Sequence, residues 1–191
     1  NDGVGFSSFM SAQSTVAHGD DSYDPRPAAF CGTAKSASDW YTGNTPESEY
    51  NVKWFSYMKS LQDYLSSLGY LGRSYHYFQS LPGDQADYDA VAWYSQELKK
   101  KAPDLKLMVS TPPRPEIYNH PLYTGAKIDI WVPVHTLYDP VLSQSREKNH
   151  GEETWIYFLS GSQLPYFNPI TLDHPSIESK MTGWFLWKYR I

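Results

Sequence analysis

The residues best placed to move protons lie just past predicted strands. His135 and Asp139 share the loop HTLYDP and form the best acid/base pair in the chain, an imidazole and a carboxylate within one turn of each other. Ordinary loop polarity accounts for the same two residues. Asp84, Asp87 and Asp173 are the other acids near strand ends. Asp84 and Asp87 stand at a predicted helix start, where capping is the default role. Asp129 falls inside a strand and reads as a structural hydrogen-bonding group. Ser80 sits at a strand-to-helix turn, yet the glycines of a nucleophile elbow are replaced by Phe78 and Pro82. The run His18-Gly19-Asp20-Asp21-Ser22-Tyr23-Asp24 offers oxygens and one imidazole, but its glycine is out of register for a calcium loop, which favours a solvated loop. No His-Glu-x-x-His helix, phosphate-binding glycine loop or dinucleotide fingerprint is present, so no metal or cofactor is expected.

A second group of residues is suited to binding. Trp131, Trp155, Tyr157 and Tyr166 lie on or just past predicted strands, where aromatic faces stack on flat ligands. The rival placement puts Trp131 and Trp155 in the core. Tyr77 and His76 alternate on one strand, so only one of them can line a pocket. Gln79 and Ser80 end that strand. Arg114, in STPPRPE, follows another strand and offers a cation to an anionic group, or is a surface arginine in a proline-rich loop.

The elements that position these residues alternate between two periods. Residues 4–10 (VGFSSFM) read as a short strand. Residues 11–46 form a long irregular segment rich in Ser, Gly, Asp and Pro, functional or flexible by its length. Residues 47–191 read as successive βα units. Thr45-Pro46-Glu47 opens a helix with a cap, a proline at its first position and an acidic turn. Its apolar stripe is Trp54, Met58, Leu61, Leu65 and Leu68, and Gly69 ends it. Strands follow at 74–78, 105–110, 128–134 and 154–159. Helices follow at 87–102, around 140–148 and from about 175 to 191. The helix over 87–102 presents Tyr88, Val91, Ser95, Leu98 and Ala102, with lysines in its last turn. Strands alternating with helices imply right-handed βαβ units and a parallel sheet.

Length and composition set the limits. The chain has 191 residues, 40% hydrophobic and 16% aromatic, enough for one domain with a sizeable core. With 7 Trp and 16 Tyr against 19% charged residues, it suits stacking surfaces for sugar rings. A net charge of −5 and no basic run beyond Lys99-Lys100-Lys101 argue against nucleic acid as a partner. One cysteine, Cys31, excludes an internal disulfide. No apolar run reaches the roughly 20 residues of a membrane span. The first residue is Asn1, which is expected of a mature or trimmed product, and an extracellular or secreted location is expected.

The C-terminal half carries three stretches that resemble one family. These are IDIWVP at 128–133, EETWIYFLSGSQLPYFNPITLDHPSIESKMTGWFLWKYRI at 152–191, and YHYFQSLPGDQADYDAV at 75–91. They are similar to the DUF4091 domain, the catalytic barrel of proteins related to glycoside hydrolase family 123, and cover roughly residues 70–191. The resemblance implies a TIM-type (β/α)8 barrel acting on 2-acetamido sugars, with an Asp-Glu pair before the proline of the turn. In this chain that pair falls on Ser80 and Leu81, neither of which replaces a carboxyl acid. Five strands are too few for a closed barrel. The expectation is therefore a partial α/β barrel of about five parallel strands, completed by a partner chain, another copy or flanking segments. Its expected role is non-catalytic carbohydrate binding or assembly. The alternative is an active glycosidase that uses Asp139 and His135 instead.

Overall fold

The computed structural model describes residues 7–11, 16–18 and 23–191. They fall into two compact units, Asn1–Val109 with Arg114–Asp129, and Ser110–Pro113 with Ile130–Ile191.

The first unit contains β1 (Phe9–Met10), β2 (Ala17–His18), β3 (Ala29–Phe30), β4 (Thr33–Ala34), α1 (Glu49–Ser67), β5 (Ser74–Ser80), α2 (Gln85–Lys101), β6 (Lys106–Ser110) and the single turn α3 (Pro115–Tyr118). β5 is its organising strand. It pairs in parallel with β1, Phe9 opposite Ser74, and with β2, Ala17 opposite Gln79. β6 lies beside β5. Of the strand predicted over 4–10, residues 4–6 lie outside the described residues, and Phe9–Met10 form β1.

α1 begins at Glu49, later than the Thr45 start read from the sequence. Ser48 is the working cap and accepts from Asn51 N at 3.2 Å. Thr45 is committed elsewhere: its hydroxyl donates to Ser38 O at 2.6 Å and its carbonyl accepts from Ser48 N. Trp54, Met58 and Leu65 of the predicted stripe are buried, while Leu68 closes the helix in the open. Gly69 then takes φ 71°, and Tyr70 N returns to Leu65 O at 2.8 Å, the left-handed ending that glycine permits.

α2 begins at Gln85 rather than Asp87, because Asp84 and Asp87 cap it reciprocally. Asp87 N donates to Asp84 Oδ1 at 2.9 Å, and the Asp87 carboxylate accepts from Asp84 N. The helix is buried well beyond its predicted stripe, with Ala90, Ala92, Trp93 and Tyr94 as enclosed as Val91 and Leu98. Each large side chain so buried contributes about 2–3 kcal/mol.

Residues 23–46 are packed where the sequence reads as irregular. Arg26 is the reason. Its guanidinium bonds Asp24 at 2.6 Å, the Asp39 carbonyl at 2.6 Å and Asn51, and lies 5.0 Å from the Tyr50 ring and 5.2 Å from the Trp40 ring. A capping box between Ser36 and Asp39 and the β3–β4 hairpin hold the rest.

The second unit contains β7 (Ile130–Trp131), α4 (Pro140–His150), β8 (Glu153–Thr154) and α5 (Ile177–Tyr189). β7 and β8 pair in parallel, Ile130 opposite Glu153. The strands predicted over 128–134 and 154–159 are shorter as regular ladders. Pro133 has no N–H, so beyond it only scattered bonds remain: Tyr157 N to Pro133 O at 3.3 Å and His135 N to Tyr157 O at 2.9 Å. Asp139 caps α4, and Gly151 ends it in the left-handed region. α5 buries none of its residues.

The fold is α/β. It has a parallel sheet, with β1, β2, β5 and β6 in the first unit and β7 and β8 in the second, and no closed barrel is formed among the described residues. No helix among those residues is long and apolar enough to cross a membrane.

Candidate functional site

In the first unit the predicted site residues gather where β5 turns into α2. The burial of β5 alternates as expected, with His76 enclosed and Tyr77 half-exposed. At its end Gln79 and Ser80 are both buried, and Leu81 is 44% exposed with φ 52°. A leucine in the left-handed region costs about 1–2 kcal/mol, so the turn is strained at Leu81. Asp87 holds the turn closed by accepting from Gly83 N at 2.8 Å. The acids here are thus committed to capping, as their spacing indicates. Arg114 stands at the start of α3, its guanidinium carbon 5.8 Å from the ring centre of Tyr88 in the first turn of α2. Its Nε is buried and has no hydrogen-bond partner among the described residues; neither does Gln79 Nε2.

In the second unit His135 and Asp139 are each engaged separately. The exposed Asp139 carboxylate accepts from Val141 N at 2.9 Å and Leu142 N at 3.0 Å, which is a capping role. His135 is 4% exposed, and its Nε2 lies 2.9 Å from the Phe167 carbonyl. Phe158, Phe167 and Tyr166 surround its ring at 4.7, 5.2 and 6.2 Å. Burial lowers its pKa, partly offset by the Phe167 carbonyl, which favours the protonated ring. A neutral imidazole that donates from Nε2 to a carbonyl is poorly placed to pass protons to Asp139.

The four aromatics predicted to face sugars separate. Trp131 is fully buried and donates to Glu152 at 2.6 Å, so it is a core residue. Glu152, 4% exposed, also binds Arg146 at 2.8 Å through Nε, which makes a buried Trp-Glu-Arg network that the sequence does not announce. Trp155 is half-buried and bonds Glu153 at 3.1 Å. It lines a pocket of about 160 Å³ with Tyr138, Gln144, Glu147 and Glu153. Tyr157 is half-buried beside its backbone bond to Pro133, and Tyr166 is 46% exposed.

One buried polar cluster escapes sequence reasoning. Trp54 Nε1 donates to the Tyr94 hydroxyl at 3.0 Å, and that hydroxyl lies 3.0 Å from His76 Nε2. Pro25, Arg26, Trp54, His76, Phe78 and Tyr94 enclose a gap with no room for a water. Burial pushes the His76 pKa down to about 3. The only signal in the sequence is the position of His76 on the inward face of its strand.

Of the predicted acidic loop, residues 19–22 lie outside the described ones, and Asp24 is bound to Arg26. Among the described residues no three His, Cys, Asp or Glu side chains stand close enough to hold a metal ion. No family model matches this chain, and no curated protein matches it either.

Proposed function

We propose that the chain is a glycoside-hydrolase-like domain that binds carbohydrate without hydrolysing it. The observation that supports this most is the β5–α2 turn. It lies at the carboxyl end of a parallel strand, where α/β proteins bind ligands. Yet it carries Gln79, Ser80 and Leu81, and its two acids cap α2. Glycoside hydrolysis needs a carboxyl acid within reach of the scissile bond, with a second carboxyl or help from the substrate. Tyr77 and Arg114, both half-buried, are the residues proposed to meet sugar at this turn, whereas Gln79 and Ser80 are buried. An extracellular setting belongs to the same proposal.

The test is turnover and binding on one preparation. Aryl 2-acetamido glycosides are expected to release no aryl alcohol, while calorimetric titration with an oligosaccharide panel gives a measurable Kd. Hydrolysis that disappears in Asp139→Ala, with the far-UV circular dichroism intact, overturns the non-catalytic half. Absence of binding across the panel overturns the other half.

A further inference from the structure

In the second unit, Tyr138, Gln144, Glu147, Trp155, Tyr189 and Arg190 line one cavity of about 160 Å³. Gln144, Glu147 and Arg190 are exposed and the three aromatics are half-buried, so the cavity opens to solvent. Its volume is that of about five waters at roughly 30 Å³ each, which is room for one small ring. The aromatic walls are held in place. The Tyr138 and Tyr189 rings stand 5.4 Å apart at 69°, and Phe185 packs on both, at 5.7 and 4.9 Å. The Trp155 indole is fixed by its bond to Glu153 at 3.1 Å. Walls already ordered lose little freedom when a ligand arrives.

The polar lining decides which ligand fits. Glu147 and Arg190 carry opposite charges and share the cavity, yet form no ion pair with each other. A charged ligand gains from one of them and is repelled by the other. A hydroxyl suits both, because it donates to a carboxylate and accepts from a guanidinium, and the Gln144 amide can do either. Lys188 does not line the cavity, but its Nζ lies 5.1 Å from the Tyr189 ring centre and disfavours a second cation beside that ring. A small ring with apolar faces and a rim of hydroxyls meets aromatic and polar walls together. We propose that this cavity binds one neutral pyranose residue, stacked on Trp155 with its hydroxyls on Glu147, Arg190 and Gln144. It is a site apart from the β5–α2 turn and needs no sugar bound there.

Two-dimensional NMR of the isotope-labelled chain tests this residue by residue. Methyl glycosides of glucose, galactose, mannose and N-acetylglucosamine are titrated in, with glycerol and choline chloride as controls. At least one glycoside is expected to shift the Trp155 indole signal and the Gln144 and Glu147 amides to saturation. Its Kd is expected to rise about tenfold in Trp155→Ala and about threefold in Glu147→Gln, whereas Trp155→Phe, which keeps a ring, retains most of the binding. Shifts confined to the surroundings of Tyr77 and Arg114 overturn the cavity and leave sugar binding at the β5–α2 turn standing. Shifts at the cavity with a Kd unchanged in Trp155→Ala and Glu147→Gln overturn the residue assignment. Glycerol or choline binding as tightly as the best glycoside overturns the sugar. No shift with any glycoside overturns the site, and oligosaccharide calorimetry then decides the β5–α2 turn by itself. The spectrum of each variant shows whether it is folded, and the exposed Glu147 keeps the test open should Trp155→Ala fail to fold.

Discussion

Lowering the pH should weaken the first unit through His76. In the folded chain the ring is enclosed among Phe78, Tyr94, Trp54 and the Arg26 guanidinium, and burial holds its pKa near 3. In the unfolded chain it titrates near 6.5. The folded pKa is the lower one, so between pH 6.5 and 3 the unfolded state binds the extra proton. Stability therefore rises with pH across that window and is lost as pH falls through it. Integrated from pH 7 to pH 5, one such histidine removes about 2 kcal/mol, or roughly 4–8 °C in Tm for a domain of this size. Carboxylates with lowered pKa, Glu49 and Glu178, act below this interval, so they add little to it. His135, also lowered by burial, adds a parallel loss, which His135→Phe measures separately. The assay is urea unfolding at pH 7, 6 and 5. His76→Phe leaves the Tyr94 hydroxyl without its His76 partner and should cost about 1–3 kcal/mol at pH 7. Its stability should then fall less between pH 7 and 5 than that of the wild type, by about 2 kcal/mol. An identical pH dependence in the two proteins would refute the assignment of a buried neutral imidazole.

Two other substitutions probe the scaffold. Arg26→Met leaves the Asp24 carboxylate, whose side chain is 9% exposed, only the Lys35 ammonium at 3.6 Å and the backbone N–H of residue 26 at 3.0 Å, and should lower stability by about 3 kcal/mol in urea unfolding, the low end for a broken buried pair; a loss below about 1 kcal/mol would mean that the loop does not depend on this cation. On α5, Trp184 and Trp187 are 69% and 76% exposed and Leu172 ahead of the helix is 99% exposed, an apolar face open to solvent. The chain should self-associate as its concentration rises, and Trp184→Ser/Trp187→Ser should reduce its mass by light scattering. A monodisperse wild-type monomer would contradict this.

The local elements were largely legible in the sequence because they rest on local chemistry. The stripe Trp54-Met58-Leu65, the Asp84–Asp87 spacing and the alternation of His76 and Tyr77 each follow from side-chain periods and caps, which neighbours in the chain decide. The α/β class follows from the succession of those periods. Boundaries shifted where a second residue competed for the same task, as Ser48 did with Thr45.

Tertiary structure decided what periodicity cannot carry. Arg26 turns residues 23–46 into packed structure by drawing in Asp39, Asn51, Tyr50 and Trp40 from distant positions. Trp131, which chemistry alone allowed to stack on a sugar, is enclosed, and its indole N–H donates to the buried Glu152. His135 and Asp139 share a loop, but a carbonyl from Phe167 and the start of α4 take them apart. By itself the sequence determined which residues have donors, acceptors and charge, and on which face of a helix or strand each begins. Which of them meet a partner, and which, like Arg114, keep a buried donor open, depends on contacts between segments far apart in the chain, where only folding brings charge to countercharge.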